Sequence, residues 1–256
     1  MVYFDLSGKH ALVTGAIGPL GRAFVIALAE AGADVSVTTL NDDGDEETQA
    51  NSILNEAWSI GRKGEAKRLD LTDPAAVDAA VGALERDVAP IDILVNAQHV
   101  ANILPVVDAT LDDWQREIGH NATSVFVTTQ AVGRRMLGRG VGRVINVVSI
   151  VHDRGVPNCA LFGASQGAVL GFTRSLGLEW GRSGVTVNAL GIGWYDDVAG
   201  PQNDEELHAI LERYIPLRRL GRPEDLQGAL VYLASDESAF VDSEMLVVDG
   251  AIANHA

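Results

Sequence analysis

The chain has 256 residues, of which 19 are Lys or Arg and 35 are Asp or Glu, so its formal net charge is −16. A surface this acidic repels phosphate backbones and anionic headgroups, so we expect neither nucleic acid nor a membrane as a partner. We expect one domain over residues 1–256, because α/β folds of this length commonly form a single unit. The single Cys159 cannot form an internal disulfide. Because the sequence also shows no secretory leader, we expect a cytoplasmic protein.

Short apolar segments alternate with longer segments of helical periodicity along the chain. The predicted strands are residues 10–15, 34–39, 67–71, 91–97, 142–149, 185–190 and 245–250. Several are apolar at consecutive positions, which is typical of parallel strands covered on both faces. Helices are predicted over residues 21–31 and 164–180; in the second, Val169, Phe172 and Leu176 recur at helical spacing. The sequence therefore predicts an α/β fold: a doubly wound parallel sheet of about seven strands with helices on both faces.

Two polar segments interrupt this pattern. The acidic residues 41–47 (NDDGDEE) predict a loop and the start of a helix, where carboxylates stabilise the positive end of the helix dipole. A metal site is the alternative interpretation of this run, and we expect none. Residues 194–222 are polar and predict a flexible substrate lid with a short helix over 205–213.

A glycine-rich turn, TGAIGPLG, follows the first predicted strand and opens the first helix. Gly15, Gly18 and Gly21 permit a tight turn, close approach of the backbone to a pyrophosphate, and close packing of the helix. Pro19 suits the first helical turn, although it removes one N–H group that a phosphate would otherwise use. The turn favours a dinucleotide site, and a glycine turn without a ligand is the alternative.

Further motifs occur in one order over nearly the whole chain. They are Asp70 in RLDLTD, the strand ILVNA, Asn121 after Trp114, Ser149 in RVINVVS, the helix GASQGAVLGFTRSLGLEW, and the segments VTVNAL, GRPEDL and LVVDG. With the glycine turn, this order and spacing resemble the short-chain dehydrogenase/reductase family. The resemblance implies a Rossmann-like fold, NAD or NADP as cofactor, and hydride transfer to or from a small carbonyl or hydroxyl substrate.

The same resemblance implies where the cofactor is held. The phosphates would lie on the turn, at Gly15, Ile17, Gly18, Leu20 and Gly21. The adenine ring would contact Asp70 and Leu71, the ribose Asn96 and Gln166, and the nicotinamide side Gly193. Residues 38–41 (TTLN) end the second strand without the acidic residue that binds a ribose diol or an Arg for a 2′-phosphate. The preference between NAD and NADP therefore stays open.

The family uses an Asn-Ser-Tyr-Lys tetrad, of which this chain keeps half. By resemblance, Asn121 and Ser149 are the Asn and the Ser. Phe162, thirteen residues after Ser149, occupies the Tyr position, and Gln166, four residues later, occupies the Lys position. Phenylalanine has no ionisable group, and glutamine brings no cation. An acid-base catalyst typically contributes roughly 10²- to 10⁴-fold, so ordinary turnover should be feeble unless another group replaces it.

Nearby positions depart from the family as well. The family's NNAG string is replaced by Asn96-Ala97-Gln98-His99, so an imidazole stands where a glycine permits close approach. Asp197 replaces a hydroxyl residue in the segment that holds the nicotinamide carboxamide. A carboxylate there accepts from the carboxamide N–H but cannot donate to its oxygen.

Three residues are candidates for a replacement acid: His152, Tyr195 and His99. His152 follows Ser149 in the loop that lines the family's substrate pocket, Tyr195 lies beside the implied nicotinamide site, and His99 ends the fourth strand. Each has an ordinary alternative, as a solvated loop histidine, a packed aromatic residue, and a packed or surface imidazole. Likewise, Ser149 and Asn121 have alternatives as local hydrogen-bonding residues.

Three hypotheses of function remain open. The retained glycines and Asp70 favour an NAD(P)-dependent oxidoreductase with a non-standard or impaired proton path. The joint loss of Tyr and Lys favours a catalytically inactive cofactor-binding or regulatory subunit. The polar set His99, His152 and Asp197 favours a non-redox lyase, dehydratase or isomerase.

The resemblance also implies assembly. The family commonly forms homotetramers or homodimers through segments that correspond here to residues 111–137, 160–181 and 245–256. A hetero-oligomer with an active paralogue is the alternative, and core packing is the ordinary explanation for the apolar residues of these helices.

Overall fold

A computed structural model describes residues 4–40, 44–200, 202 and 205–254. Within these ranges, seven parallel strands form one sheet in the order β3-β2-β1-β4-β5-β6-β7. The strands are β1 His10–Thr14, β2 Asp34–Thr39, β3 Ala66–Arg68, β4 Ile93–Asn96, β5 Gly142–Ser149, β6 Val185–Ile192 and β7 Met245–Val248. The predicted fold class is confirmed.

Helices cover both faces of the sheet. They are α1 Pro19–Glu30, α2 Gly44–Ser59, α3 Pro74–Asp87, α4 Leu111–Ile118, α5 Ser124–Arg139, α6 Ala160–Trp180, α7 Glu205–Tyr214 and α8 Gln227–Ala234. One apolar core joins the sheet to α1, α2 and α8, and includes Phe24 and Leu230. A second core joins the opposite face to α3, α5 and α6, and includes Val81, Met136 and Trp180. The strands are therefore buried on both sides, which explains their unbroken apolar runs.

The strand order places a crevice in the sheet. The chain builds β1, β2 and β3 outward in one direction and then crosses to β4 on the other side of β1. In open parallel sheets, ligands bind outside the carboxyl ends of the strands at such a reversal. The turn after β1 and the residues after β4 meet at this point.

Several boundaries differ from the sequence prediction. Strand β3 is shorter because Asp70 Oδ1 accepts the backbone N–H of Thr72 at 2.8 Å, a turn that ends the extended chain. Helix α6 begins four residues earlier than predicted, where the Gly163 N–H bonds to the Cys159 carbonyl at 2.8 Å. Residues 41–43 of the acidic run lie outside the described residues, and α2 begins directly after them with three acidic residues in its first turn. None of the described helices is long and apolar enough to cross a membrane.

Candidate active site

The glycine turn after β1 forms an anion-binding cradle. Gly15 has φ +66°, and a Cβ there would lie 2.7 Å from the carbonyl carbon of Ala97. Gly18, with φ +101°, precedes α1 and faces open space. A Cβ on Gly21 would lie 2.4 Å from Ala16, so this glycine lets the helix pack against the turn. In the described chain, α1 has no side-chain cap and no acidic residue in its first turn, so its N-terminal N–H groups are left for an anion.

A cleft of about 290 Å³ opens above this turn. It is lined by residues that follow four neighbouring strands: the turn after β1, the end of β2, the segment after β3 and the segment after β4. Of the implied cofactor residues, those that line it are Gly15, Ile17, Gly18, Leu20, Asp70 and Leu71. The glycine cradle, the uncapped helix and this elongated cleft fit the pyrophosphate and adenosine part of a dinucleotide.

The adenosine end of the cleft carries two carboxylates. Hydrogen bonds from the hydroxyl and the backbone N–H of Thr72 lower the pKa of Asp70, so it is ionised at neutral pH. Glu46, on α2, also lines the cleft, and its Oε2 accepts the Leu40 N–H at 2.9 Å. The structure therefore brings an acidic residue to the end of β2 from a helix, whereas the sequence of the strand itself has none.

Asn96 does not face the cleft. Its Oδ1 accepts hydroxyls from Thr14 at 3.2 Å and Thr128 at 2.7 Å. Its Nδ2 donates to Thr129 Oγ1 at 3.0 Å and Asn146 Oδ1 at 2.8 Å. An amide side chain has two donors and two acceptor sites, so these four bonds use them all. We expected Asn96 to bind the ribose; in the structure its side chain joins β1, β4, β5 and α5.

The residues that the family resemblance assigns to the tetrad positions lie close together, at the end of β5 and in α6. Ser149 ends β5 and is 3% exposed; Phe162 and Gln166, on α6, are each 1% exposed. Gln166 Oε1 accepts the backbone N–H of Ser149 at 2.8 Å. Gln166 therefore holds the end of β5, a contact that a lysine ammonium cannot make because it has no acceptor. None of these three side chains lines the described cleft.

Asn121 lies in a π-helical turn, Gly119–Thr123, between α4 and α5. Its Oδ1 accepts the Val100 N–H at 3.0 Å, and its Nδ2 donates to the Val100 carbonyl at 2.7 Å. Ser165 Oγ, at 3.1 Å, and Glu117 Oε1, at 3.2 Å, also lie within reach of Nδ2. Asn121 therefore fastens the segment after β4 to α4 and α6. Burial raises the pKa of Glu117 from 4.5 to about 7.

His99 lines the cleft and also contacts Phe162. Its ring meets the Phe162 ring edge-on, with centroids 5.0 Å apart and an interplanar angle of 85°. Its Nε2 lies 2.9 Å from the Ala199 carbonyl oxygen, which can only accept, so Nε2 carries the hydrogen. Burial lowers the pKa of His99 to about 4, so the ring is neutral at pH 7.

The remaining sequence candidates are dispersed. His152 donates from Nδ1 to the Ser149 carbonyl at 2.7 Å, which places it beside the tetrad serine and not in the described cleft. Tyr195 is 1% exposed and donates its hydroxyl to the Val248 carbonyl at 2.6 Å. Burial raises the pKa of this phenol, so the structure favours its alternative as a packed aromatic residue. Gly193 is required by packing, because a Cβ would lie 2.7 Å from Asp249 Cβ.

Three residues of this region were missed by sequence reasoning: Glu46, Gln98 as a cleft residue, and Glu117. Glu46 could have been found from its place in the first turn of α2, beside the end of β2. Glu117 could have been found because it lies one helical turn before Asn121, at a position of α4 where helical spacing favours an apolar residue. For Gln98, the signal was its replacement of a small residue directly after β4.

The fold and the cradle define a dinucleotide-binding α/β protein. The family model described as enoyl-(acyl carrier protein) reductase matches residues 15–252. The chain belongs to the short-chain dehydrogenase/reductase family, a family of NAD(P)-dependent oxidoreductases.

Known relatives extend over almost the entire chain. A gluconate 5-dehydrogenase of Gluconobacter oxydans is 35% identical over 251 residues, covering 97% of this chain and 96% of the relative. A D-threitol dehydrogenase of Mycolicibacterium smegmatis is 35% identical over 259 residues, with 96% and 94% coverage. The crystal structure of a gluconate 5-dehydrogenase from Burkholderia cenocepacia with NADP and tartrate matches with a TM-score of 0.90 and 31% identity, covering 99% of this chain and 98% of that one. A bound NADP in that relative is consistent with an NAD or NADP site here.

Proposed function

We propose that this chain binds NAD(P)(H) and transfers hydride between it and a small polyhydroxylated carbonyl or hydroxyl compound, with impaired proton transfer. The cofactor part rests on the glycine cradle and the cleft. The substrate class rests on the relatives named for gluconate and threitol. The observation that carries the proposal is Phe162, whose buried ring offers no proton at the position where the family has its acid.

The chemistry divides between cofactor and chain. A bound nicotinamide supplies or accepts the hydride, while the protein must supply or accept a proton at the substrate oxygen. Ser149 offers a hydroxyl for that oxygen, and its backbone is held by Gln166. His152 places an imidazole beside Ser149, because its Nδ1 donates to the Ser149 carbonyl. Without a phenol, the proton passes through His152 or water, and turnover is roughly 10²- to 10⁴-fold below that of a complete tetrad.

The decisive experiment restores the family residues. The double variant Phe162→Tyr, Gln166→Lys should raise kcat for a keto-gluconate or tetrulose with NADH or NADPH by at least roughly 10²-fold. The control pair, Phe240→Tyr with Gln115→Lys, makes the same chemical changes at exposed positions and should change nothing. Because lysine cannot accept the Ser149 N–H, the melting temperature of each variant is measured alongside. Rapid turnover by the unmodified chain, with no gain in the double variant, would contradict the proposal.

The second candidate is a cofactor-binding regulatory subunit without turnover. It is favoured by one contact, the His99 ring against Phe162, because His99 lines the cleft and Ser149 does not. It predicts cofactor binding with no restored activity in the double variant. The lyase hypothesis has less support, because His99 and Asp197 line the cleft while His152 does not.

Assembly is part of the proposal. Phe126 on α5 is 47% exposed and Leu178 on α6 is 81% exposed, on helices that the family uses for contact. We propose a homodimer or homotetramer through these helices, with a hetero-oligomer containing an active paralogue as the alternative, in the cytoplasm. Sedimentation of the isolated chain as a monomer would exclude the homo-oligomer. Leu178→Glu should dissociate it.

A further inference from the structure

The open cleft extends over only part of the crevice. Its walls come from the residues that follow β1, β2, β3 and β4, from Glu46 on α2, from His120 and Ser124 where α5 begins, and from residues 197–199. In the described chain, neither the end of β5 nor α6 contributes to its lining. Its volume of about 290 Å³ lies at the lower limit of small-molecule sites, which are roughly 300–1,000 Å³. Because neither the end of β5 nor α6 lines the cleft, a ligand that stays within it ends near the residues after β4.

Those residues carry unsatisfied polar atoms. The amide nitrogen and oxygen of Gln98 and the Nδ1 of His99 are buried and have no hydrogen-bond partner within the described residues. Both side chains line the cleft. A buried polar group without a partner destabilises the fold, so a ligand that pairs with these atoms gains affinity.

The atoms specify the kind of group that would satisfy them. Gln98 offers two N–H donors and a carbonyl acceptor. Since Nε2 of His99 donates to Ala199, its Nδ1 is an acceptor only. A partner for this set must both donate and accept within a short distance. Neighbouring hydroxyl groups, such as those of a ribose, do so. The carboxamide of nicotinamide has the same capacity but lies one ring further from the pyrophosphate, so the ribose hydroxyls meet these atoms first.

His99 also obstructs an aromatic ring that extends beyond the second ribose. The imidazole of His99 fills the space in front of Phe162 and is tied to Ala199. An aromatic group attached to the second ribose must displace this imidazole and break its bond to reach Ser149.

The position of the pair relative to the phosphates is fixed by the turn. A Cβ on Gly15 would lie 2.7 Å from the Gln98 backbone nitrogen, so Gln98 directly adjoins the cradle. The adenosine end lies on the opposite side of the cradle, at Asp70 and Glu46. The group attached to the far end of the pyrophosphate therefore meets Gln98 and His99.

We propose that the cleft prefers ADP-ribose, an adenine nucleotide whose pyrophosphate carries a second ribose without nicotinamide, and that Gln98 and His99 bind the hydroxyl groups of that ribose. This inference rests on the proposed cofactor site and concerns its ligand preference. NAD binds to the same cleft more weakly, because it must displace His99.

Calorimetric titration with ADP, ADP-ribose and NAD⁺ tests the proposal. We expect ADP-ribose to bind at least tenfold more tightly than either ADP or NAD⁺. Gln98→Leu should reduce the affinity for ADP-ribose to that for ADP and leave ADP itself unchanged. His99→Gly should tighten NAD⁺ binding and weaken ADP-ribose. Gln115→Leu, an exposed substitution of the same type on α4, is the matched control and should have no effect.

The outcomes separate this inference from the proposed function. If ADP binds but ADP-ribose binds no more tightly, or if NAD⁺ binds most tightly, the preference is overturned and the cofactor site stands. If none of the three nucleotides binds, the cofactor site fails and the inference fails with it. Melting temperatures of the variants establish that each is folded, and Gln98→Asn provides a second, smaller change that keeps the amide but shortens its reach.

Discussion

The Oε1 of Glu117 lies 3.2 Å from the Nδ2 of Asn121, one helical turn further along the chain. Its other oxygen accepts the Asn102 N–H at 3.2 Å, and the side chain is almost completely buried. The side chain of Asn121 is therefore in contact with a buried carboxyl group from α4. Because burial disfavours its charged form, this group makes the stability of the site depend on pH.

Glu117→Gln should remove a loss of stability that occurs as the pH rises. The pKa of Glu117 is about 7 in the folded state and 4.5 ordinarily, so the folded state binds more protons between these values. Stability therefore falls as the pH rises from about 4.5 to 7. Denaturant titrations at pH 5 and pH 8 should show that the variant loses less stability than the unmodified chain, by roughly 2–3 kcal/mol. Glu30→Gln, at an exposed position, should leave the difference unchanged.

His99→Leu should reduce a loss of stability that occurs as the pH falls. The pKa of His99 is about 4 in the folded state and 6.5 ordinarily, so the unfolded state binds more protons between these values. Stability therefore falls as the pH decreases from about 6.5 to 4. The variant should retain roughly 1–3 kcal/mol more stability on this decrease than the unmodified chain. The effects of Glu117 and His99 partly cancel in the unmodified chain, and a variant with unaltered pH dependence would show that the imidazole is solvated.

The fold could be predicted from the sequence because its signals are local. Apolar runs mark the buried strands, and the glycines of the turn after β1 are needed for backbone geometry and close packing. The candidate site was predicted less well, since its arrangement depends on side chains that are distant in sequence. The bonds of Asn96 to Thr128 and Asn146, and of Tyr195 to Val248, cannot be derived from motif positions.

The cleft residues illustrate the same limit. The end of β2 has no acidic residue, so the choice between NAD and NADP could not be read from the strand. Glu46 reaches that position from α2, through a contact with the Leu40 N–H that only the folded chain defines. Likewise, the bulky His99 was evident in the sequence, but its contact with Phe162 required the structure.

Glu46→Gln should shift the cofactor preference toward NADPH. A carboxylate at the adenosine end of the cleft suits ribose hydroxyls and repels a 2′-phosphate. We expect the ratio of NADPH to NADH affinity to rise by roughly tenfold, equivalent to about 1.4 kcal/mol. Fluorescence titrations with both cofactors measure this ratio. Glu47→Gln, the neighbouring substitution on the same helix, is the control, and an equal shift there would assign the effect to general charge.

Gly18→Ala should weaken nucleotide binding while the chain remains folded. Its φ of +101° strains any other residue, at a cost of roughly 1–3 kcal/mol. A Cβ meets no protein atom there and projects into the cleft. ADP affinity should fall at least tenfold while the chain remains folded. Gly21→Ala is the contrasting variant: its Cβ would clash with Ala16, so it should unfold the turn itself. Unchanged ADP binding in Gly18→Ala would show that the glycine turn is not part of the nucleotide site.

Tyr195→Phe should lower stability without changing turnover, as expected of a packed residue. His152→Ala should lower turnover, as expected of a residue that takes part in proton transfer. Removing the Tyr195 hydroxyl leaves the Val248 carbonyl without that donor, so stability should fall by roughly 1–3 kcal/mol. Turnover by the folded fraction should not change, because the buried Tyr195 hydroxyl is already engaged by the Val248 carbonyl. His152→Ala should reduce any residual turnover at least tenfold and alter the pH dependence of kcat, since the imidazole is bonded beside Ser149.

Stability and turnover must be measured on the same preparations, because the two variants are expected to differ in which quantity changes. His152→Gln keeps a donor for the Ser149 carbonyl but cannot exchange a proton near neutral pH. If it retains full activity, the imidazole only orients Ser149, and water is the proton source. If Tyr195→Phe instead abolishes turnover without loss of stability, the phenol reaches the substrate in a rearranged lid, and its assignment as a packed residue is wrong.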